Sequence, residues 1–177
     1  GKQRPVDGIL NLWKPPGMTS HDVVAIVRRL TGQRRVGHAG TLDPMAEGVL
    51  LVGVGQGTRV LEYLVGGVKE YCARIHLGVT TDTDDAEGAT LTVTAVRAFR
   101  RHTIDRALQS LTGLQEQAPP AYSALKIKGQ PAYRLARAGQ AVAPAPRTVD
   151  IEAITLVRWQ RPHITCLVTC SKGTYIR

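Results

Sequence analysis

Asp43 stands directly before Pro44, after the run Gly37-His38-Ala39-Gly40-Thr41-Leu42, and an apolar stretch from Val49 to Val54 follows. A carboxylate presented at the mouth of a buried strand has the chemistry of a nucleophile or a general base. Pro44 pushes the residue before it away from the α region. Gly37, Gly40 and Gly48 allow positive φ or close backbone approach. The same spacing also describes an ordinary Asp-Pro turn with Asp43 as its cap, so the loop by itself leaves both readings open. Immediately upstream, Arg28, Arg29, Arg34 and Arg35 present four guanidinium groups with no acid among them. Arginine forks suit bidentate phosphate contact. Lys126, Lys128, Arg134 and Arg137 form a second basic cluster interleaved with Tyr122 and Tyr133, a composition suited to RNA backbone and base contact.

These residues need elements to position them. Gly8 to Lys14 reads as a strand stopped by Pro15-Pro16-Gly17. Ser20 is the expected cap of a helix in which Val23, Ile26, Val27 and Leu30 form the apolar stripe and Gly32 the stop. Val49 to Val54 reads as a strand covered on both faces. Thr58 to Leu64 suggests a short helix. Lys69 to Val79 suggests a strand with Tyr71, Ala73, Ile75, Leu77 and Val79 on one face. Thr80 to Gly88 is an acidic turn without the spacing or final glutamate of a calcium-binding loop. Thr90 to Val96 reads as a strand. Thr103 is the expected cap of a helix over 104–111, closed by Gly113, and Tyr133 to Gly139 is a further short helix. Two strands, Val149 to Trp159 and Ile164 to Cys170, complete the pattern.

Composition narrows the class. The 177 residues can bury a sizeable core, and they are expected to form a single domain. No apolar run approaches the roughly 18 residues of a membrane span, and no signal-peptide core follows the basic start. Cys72, Cys166 and Cys170 are an odd number without CxxC spacing. Reduced, buried thiols in a cytoplasmic protein are the expected state. The five histidines show no metal-ligand spacing. Lys+Arg 23 against Asp+Glu 14 gives a net charge of +9, which fits a polyanionic partner bound with strong salt dependence.

Five strings carry a resemblance. KPPGMTSHDVV, GHAGTLDPMAEGVLLVGVGQGTRV, the span from Lys69 through Asp85, QAPPAYSALKIKG and SKGTYIR resemble, in order, the sequence boxes of TruB-type tRNA pseudouridine synthases. Ala39 and Glu47 depart from the usual pattern without touching Asp43-Pro44. The resemblance implies an α+β fold, a mixed and largely antiparallel sheet flanked by helices. It implies isomerisation of the T-loop uridine of tRNA, conventionally U55, after the base leaves its stack. Asp43 would be the nucleophile, Tyr71 would lie against the base, and Arg177 would pair with the aspartate, oriented by Asp85. Gly37, Gly40 and Pro44 would support the loop. His38, Arg34, Arg35, Lys126, Lys128, Arg134 and Arg137 would meet RNA, and Lys14 would be a structural tether or an RNA contact. No metal or cofactor is called for, the expected partner is the tRNA T-arm, and a monomer without an obligatory protein partner is expected. Because the chain stops on the motif arginine, it reads as a catalytic domain truncated at its C-terminus, without the small RNA-binding domain that usually follows. Two alternatives remain from sequence alone: a guide-dependent subunit resembling dyskerin, and a non-catalytic tRNA-binding or tRNA-folding module.

Overall fold

The computed structural model describes residues 5–120, 126–127, 130–131 and 145–177. They belong to two compact units, Gly1–Gly67 and Val68–Arg177. Among the described residues every strand pairing is antiparallel, and the α+β class implied by the sequence boxes is the class observed.

In the first unit β1 (Gly8–Lys14) and β2 (Val36–Ala39) flank β3 (Gly48–Val54). Lys14, the last residue of β1, stands opposite Gly48, the first of β3. Alternation along β3 sends Leu50, Val52 and Val54 inward, where they meet Val36 and the valines of α1 (Ser20–Thr31). Val49 is exposed at 58%, so the apolar run is an antiparallel strand with one buried row, and the expectation that both faces are covered fails at that residue. β2 was not foreseen, because Val-Gly-His-Ala has little strand propensity of its own and depends on the β3 edge.

Helix α1 begins one residue earlier in its capping than the sequence suggests. Thr19, not Ser20, is the N-cap: its hydroxyl accepts from the Asp22 N–H at 3.0 Å and its N–H donates to the Asp22 carboxylate at 2.8 Å. Thr19-x-x-Asp22 is the reciprocal box that such a helix start requires, whereas Ser20 has Val23 in the third position. The buried face is accordingly Ser20, Val23, Val24 and Val27, and Leu30 is 74% exposed. Gly32 ends the helix in the left-handed region, as expected. After β3 the chain passes through a 3₁₀ turn (Gly55–Val60) into the short α2 (Leu61–Leu64).

The second unit is built on a four-stranded sheet in the order β4 (Lys69–His76), β11 (His163–Cys170), β10 (Arg147–Gln160), β7 (Gly113–Gln117). The helix α3 (Arg101–Gln109) packs Ile104 and Leu108 onto Ile154, Leu156, Ile164, Cys166, Val168 and Cys170. β7 covers β10 only from Arg147 to Ile151. Farther along, the α3 side chains Arg101 and Gln109 donate to the carbonyls of Leu156 and Ile154, each at 2.9 Å. Side chains there do the work of a neighbouring strand on an edge that has none among the described residues.

Several boundaries differ from the sequence reading. Thr103 lies inside α3, which has Arg100 as its N-cap. Gly113 does not close a helix but opens β7 with a φ of 89°. The strand expected over 69–79 breaks at Gly78, whose positive φ turns the chain into a small hairpin of β5 (Val79–Thr81) and β6 (Thr90–Val93). Ile75 is 37% exposed although it shares its parity with Tyr71 and Ala73. Cys166 and Cys170 are buried, and burial raises both thiols above the ordinary value; Cys72 is exposed, which corrects the expectation of three buried thiols. Two short strands, β8 (Lys126–Ile127) and β9 (Gln130–Pro131), pair with each other.

The cap makes a direct prediction. Thr19→Ala should lower the unfolding free energy by about 1 kcal/mol, read from urea midpoints. The hydrogen bonds from Thr19 hold the Asp22 carboxyl below its ordinary 3.8. The Asp22 contribution is therefore present above that value and is lost as pH falls through the lower folded-state value. Asp22→Asn should flatten this part of the acid limb; an acid limb unchanged in the variant would refute the assignment.

Candidate active site

Between β2 and β3 the chain carries residues 40–47, and Asp43 lies half-buried at its centre. Gly40 enters this loop with a φ of 76°, a conformation that a side chain would strain. Gly37 does not need to be glycine on these grounds: its backbone is unexceptional, and an added Cβ would meet Leu61 at an ordinary 3.5 Å. The loop closes on itself through the Ala46 N–H, which donates to the Asp43 carbonyl at 2.9 Å.

The residues on either side of Asp43 are pinned. Leu42 donates its N–H to the Ser20 hydroxyl at 3.0 Å, and that hydroxyl lies 3.3 Å from the Leu42 carbonyl, to which it donates. The Pro44 carbonyl accepts from the Gly17 N–H at 2.8 Å and from the Lys14 ammonium at 3.3 Å. Lys14 has no accessible surface, and its ammonium also donates to the carbonyls of Pro15 at 2.8 Å and Met18 at 2.7 Å. A buried ammonium gathers carbonyls because a charge taken out of water needs its hydrogen bonds replaced. Of the two expectations for Lys14, this geometry fits the tether, and a side chain with no exposed surface has nothing to offer a phosphate.

His38 lies in β2 and its Nδ1 makes a short hydrogen bond to the Gly40 carbonyl. A carbonyl can only accept, so Nδ1 is the donor in this contact. Arg34 and Arg35 are exposed; the Arg35 Nε donates to the Thr58 hydroxyl at 2.8 Å. Arg28 is occupied locally, donating to the carbonyls of Arg34 and Val36.

The second unit holds the other candidates. Tyr71 on β4 stands opposite Val168 of β11 and packs half-buried against the core cluster. Asp85 lies within the acidic turn between β5 and β6. Its Oδ1 accepts from the Thr83 hydroxyl at 2.6 Å and the Glu87 N–H at 3.0 Å, and its Oδ2 accepts from the Arg177 Nη1 at 3.1 Å. The two side chains of this ion pair are only 8% and 13% exposed. Asp82 serves the same turn, accepting from the Ala89 N–H at 2.7 Å. The acidic residues thus fold the hairpin and direct one of their carboxylates at the guanidinium. Among the described residues no cluster of three or more His, Cys, Asp or Glu could hold a metal ion. Tyr71, Asp85 and Arg177 lie in one unit and the Asp43 loop in the other. Lys126 lies in β8, while Lys128, Arg134 and Arg137 fall outside the described residues. A cavity of about 310 Å³ in the second unit, lined by His76, Val79, Val93, Arg161 and Pro162 among others, contains none of the candidate residues.

Sequence reasoning missed Ser20 as a loop anchor and Gln117 as a contact of the segment leading to Arg177. The capping box was the available signal for Ser20, since a Thr19 cap frees the next hydroxyl. Gln117 lay within a box read only for its basic and aromatic residues.

Comparison with known proteins places these boxes. The profile of the TruB family pseudouridylate synthases, N-terminal domain, matches residues 28–176. The tRNA pseudouridine synthase B of Thermobifida fusca is 49% identical over 179 residues, covering 97% of this chain and 61% of that protein. That of Syntrophotalea carbinolica is 48% identical over 172 residues, covering 97% and 56%. The chain thus spans about three fifths of the length of these relatives. Among solved structures, a Cbf5-Nop10-Gar1 complex contains a chain with a TM-score of 0.69 and 29% identity, over 96% of this chain and 41% of that one. An H/ACA RNP bound to a substrate RNA containing 2'-deoxyuridine gives 0.68 and 27%, over 96% and 39%.

Lys14→Met keeps the length of the side chain and removes the charge, leaving the Pro15, Met18 and Pro44 carbonyls short of a donor. We expect a loss of about 3 kcal/mol in urea unfolding. An unchanged midpoint would refute the tether.

Proposed function

This chain belongs to the TruB family of pseudouridylate synthases, and we propose that it isomerises the T-loop uridine of tRNA, U55 by convention, to pseudouridine. One observation carries the proposal beyond family membership: the carbonyl groups of both neighbours of Asp43 are held by buried donors, so the aspartate is presented on a fixed loop. A reacting group held in place removes much of the orientation cost of the reaction.

In this reading the target nucleotide turns out of its stack. Asp43 attacks as a nucleophile, on the base or on the ribose. The N1–C1′ bond breaks, the uracil rotates, and a C5–C1′ bond forms. The bond to Asp43 is released, C5 gives up its proton, and N1, which carries none in uridine, takes one up, so the product is an isomer. Tyr71 packs on the base and assists departure of the C5 proton. Arg177, itself held by Asp85, is in this reading the cation that orients the nucleophile. Arg34, Arg35, His38, Lys126, Lys128, Arg134 and Arg137 are the proposed RNA contacts. The residues call for no metal or cofactor. The 49% identity to a bacterial tRNA pseudouridine synthase B, against 29% to a chain of the Cbf5-Nop10-Gar1 complex, supports action on tRNA without a guide RNA.

Asp43→Asn should abolish pseudouridine formation on a T-arm stem-loop, measured by mass spectrometry, while leaving RNA affinity within about threefold of the parent, under 1 kcal/mol. Turnover near the parental rate would refute the assignment. Arg177→Ala should reduce the rate by about 100-fold or more, and an unchanged rate would remove Arg177 from the site. Binding should weaken steeply with salt, and Arg34→Ala with Arg35→Ala should lower the slope by about two.

A further inference from the structure

The segment from Ser171 to Arg177 leaves β11 without joining a strand, yet it must deliver the Arg177 guanidinium to Asp85. Its two ends are held. Ser171 exchanges hydrogen bonds with Asp150, its N–H donating to the Asp150 carbonyl at 2.8 Å and its hydroxyl accepting the Asp150 N–H at 2.9 Å. Two residues before the arginine, the side-chain amide of Gln117 takes both main-chain groups of Tyr175. The Gln117 Nε2 donates to the Tyr175 carbonyl at 2.8 Å, and the Gln117 Oε1 accepts the Tyr175 N–H at 2.8 Å. A primary amide presents a donor and an acceptor side by side, so Gln117 supplies the pair of bonds that a neighbouring strand would supply. Gln117 is itself fixed as the last residue of β7, opposite Arg147. We infer that Gln117 is a positioning residue: its amide clamps Tyr175 and thereby sets the Arg177 guanidinium against Asp85 for pseudouridine formation.

This inference rests on the proposed synthase reading in its catalytic part, and the clamp itself can be tested apart from it. Gln117→Met keeps length and loses both hydrogen bonds. Gln117→Glu keeps one acceptor but turns a carboxylate oxygen toward the Tyr175 carbonyl; once protonated, the same side chain again offers one donor and one acceptor. Arg147, opposite in the ladder, and Glu116, its neighbour, are the charged residues adjacent to it in the strand pair, and Arg147 moves the recovery to lower pH by favouring the carboxylate.

The experiment combines hydrogen exchange over 171–177 with single-turnover kinetics on the T-arm stem-loop. Gln117→Met should lose protection at Tyr175 while the β10–β11 hairpin stays protected. It should also slow the chemical step by about 100-fold with RNA affinity little changed. Gln117→Glu should be slow near about pH 8 and recover relative to the parent as pH falls toward about 5.5, a rescue that general loss of stability would not give. Unchanged Tyr175 exchange in Gln117→Met, or a Gln117→Glu rate that keeps a constant ratio to the parent across this pH range, would overturn the clamp. A parent chain that protects Tyr175 through Gln117 but forms no pseudouridine would overturn the synthase reading, and the catalytic role of the clamp with it.

Discussion

Lys14 brings a full positive charge into the interior of the first unit, and the arrangement of the Asp43 loop depends on how that charge is accommodated. An ammonium without water costs several kcal/mol unless its protons find acceptors. Pro15 and Met18 supply two carbonyls from the turn that follows β1, and Pro44 supplies one from a loop 30 residues on. Prolines suit this arrangement, because a Pro residue has a carbonyl to give and no N–H that must be satisfied in turn. The Pro15-Pro16-Gly17 turn and the Asp43-Pro44 turn are thereby joined through one buried cation. Gly17 adds a direct backbone bond to the Pro44 carbonyl, and Ser20 secures the other side of Asp43 through Leu42. The Leu42 and Pro44 carbonyls thus have buried donors, and the Lys14 ammonium has an acceptor because the loop is there.

The second unit meets the same problem with a neutral side chain. The segments around Asp85 and Arg177 carry backbone groups that no sheet ladder satisfies, and buried groups of that kind must find partners elsewhere. Thr81 donates to the Asp85 carbonyl, Thr83 to its carboxylate, and Gln117 holds Tyr175. In both units an irregular segment is anchored by polar residues at or next to the ends of regular elements: Lys14 at the end of β1, Ser20 at the start of α1, Gln117 at the end of β7. Such positions are rigid, since they belong to a strand or helix, and their side chains still reach beyond it. A segment anchored this way takes its precision from the element that holds it.

Much of this was legible in the sequence, and the failures share a cause. β1, β3, β10 and β11 were readable because runs of Val, Ile and Leu between turn residues are strong signals. β2 and β7 were not, because Val-Gly-His-Ala and Gly-Leu-Gln-Glu-Gln form strands only where a neighbour supplies the edge. The cap of α1 was misplaced by one residue, and the buried face holds Val24 in place of Ile26 and Leu30; the reciprocal Thr19 and Asp22 contact was present in the sequence, and a serine next to it competed. Asp43, Tyr71, Asp85 and Arg177 were visible only through their boxes, since spacing by itself described turns and a core tyrosine equally well. Gln117 and the burial of Lys14 depend on tertiary placement, which periodicity does not encode.

The same distinction bears on the net charge. The formal +9 counts every Lys and Arg alike, but a cation that donates to the protein's own carbonyls or carboxylates is not equally available to a phosphate. Lys14 is enclosed, Arg28 and Arg101 donate to backbone carbonyls, and Arg177 is paired with Asp85 at low exposure. Counterion release reflects only the charges that reach the nucleic acid, so composition overstates the electrostatic surface. Arg34 and Arg35 differ in kind, being exposed where the chain enters β2, five and four residues ahead of Ala39 and just upstream of the Asp43 loop. In this chain Lys14 and Arg177 are engaged inside the protein, whereas Arg34 and Arg35 are exposed.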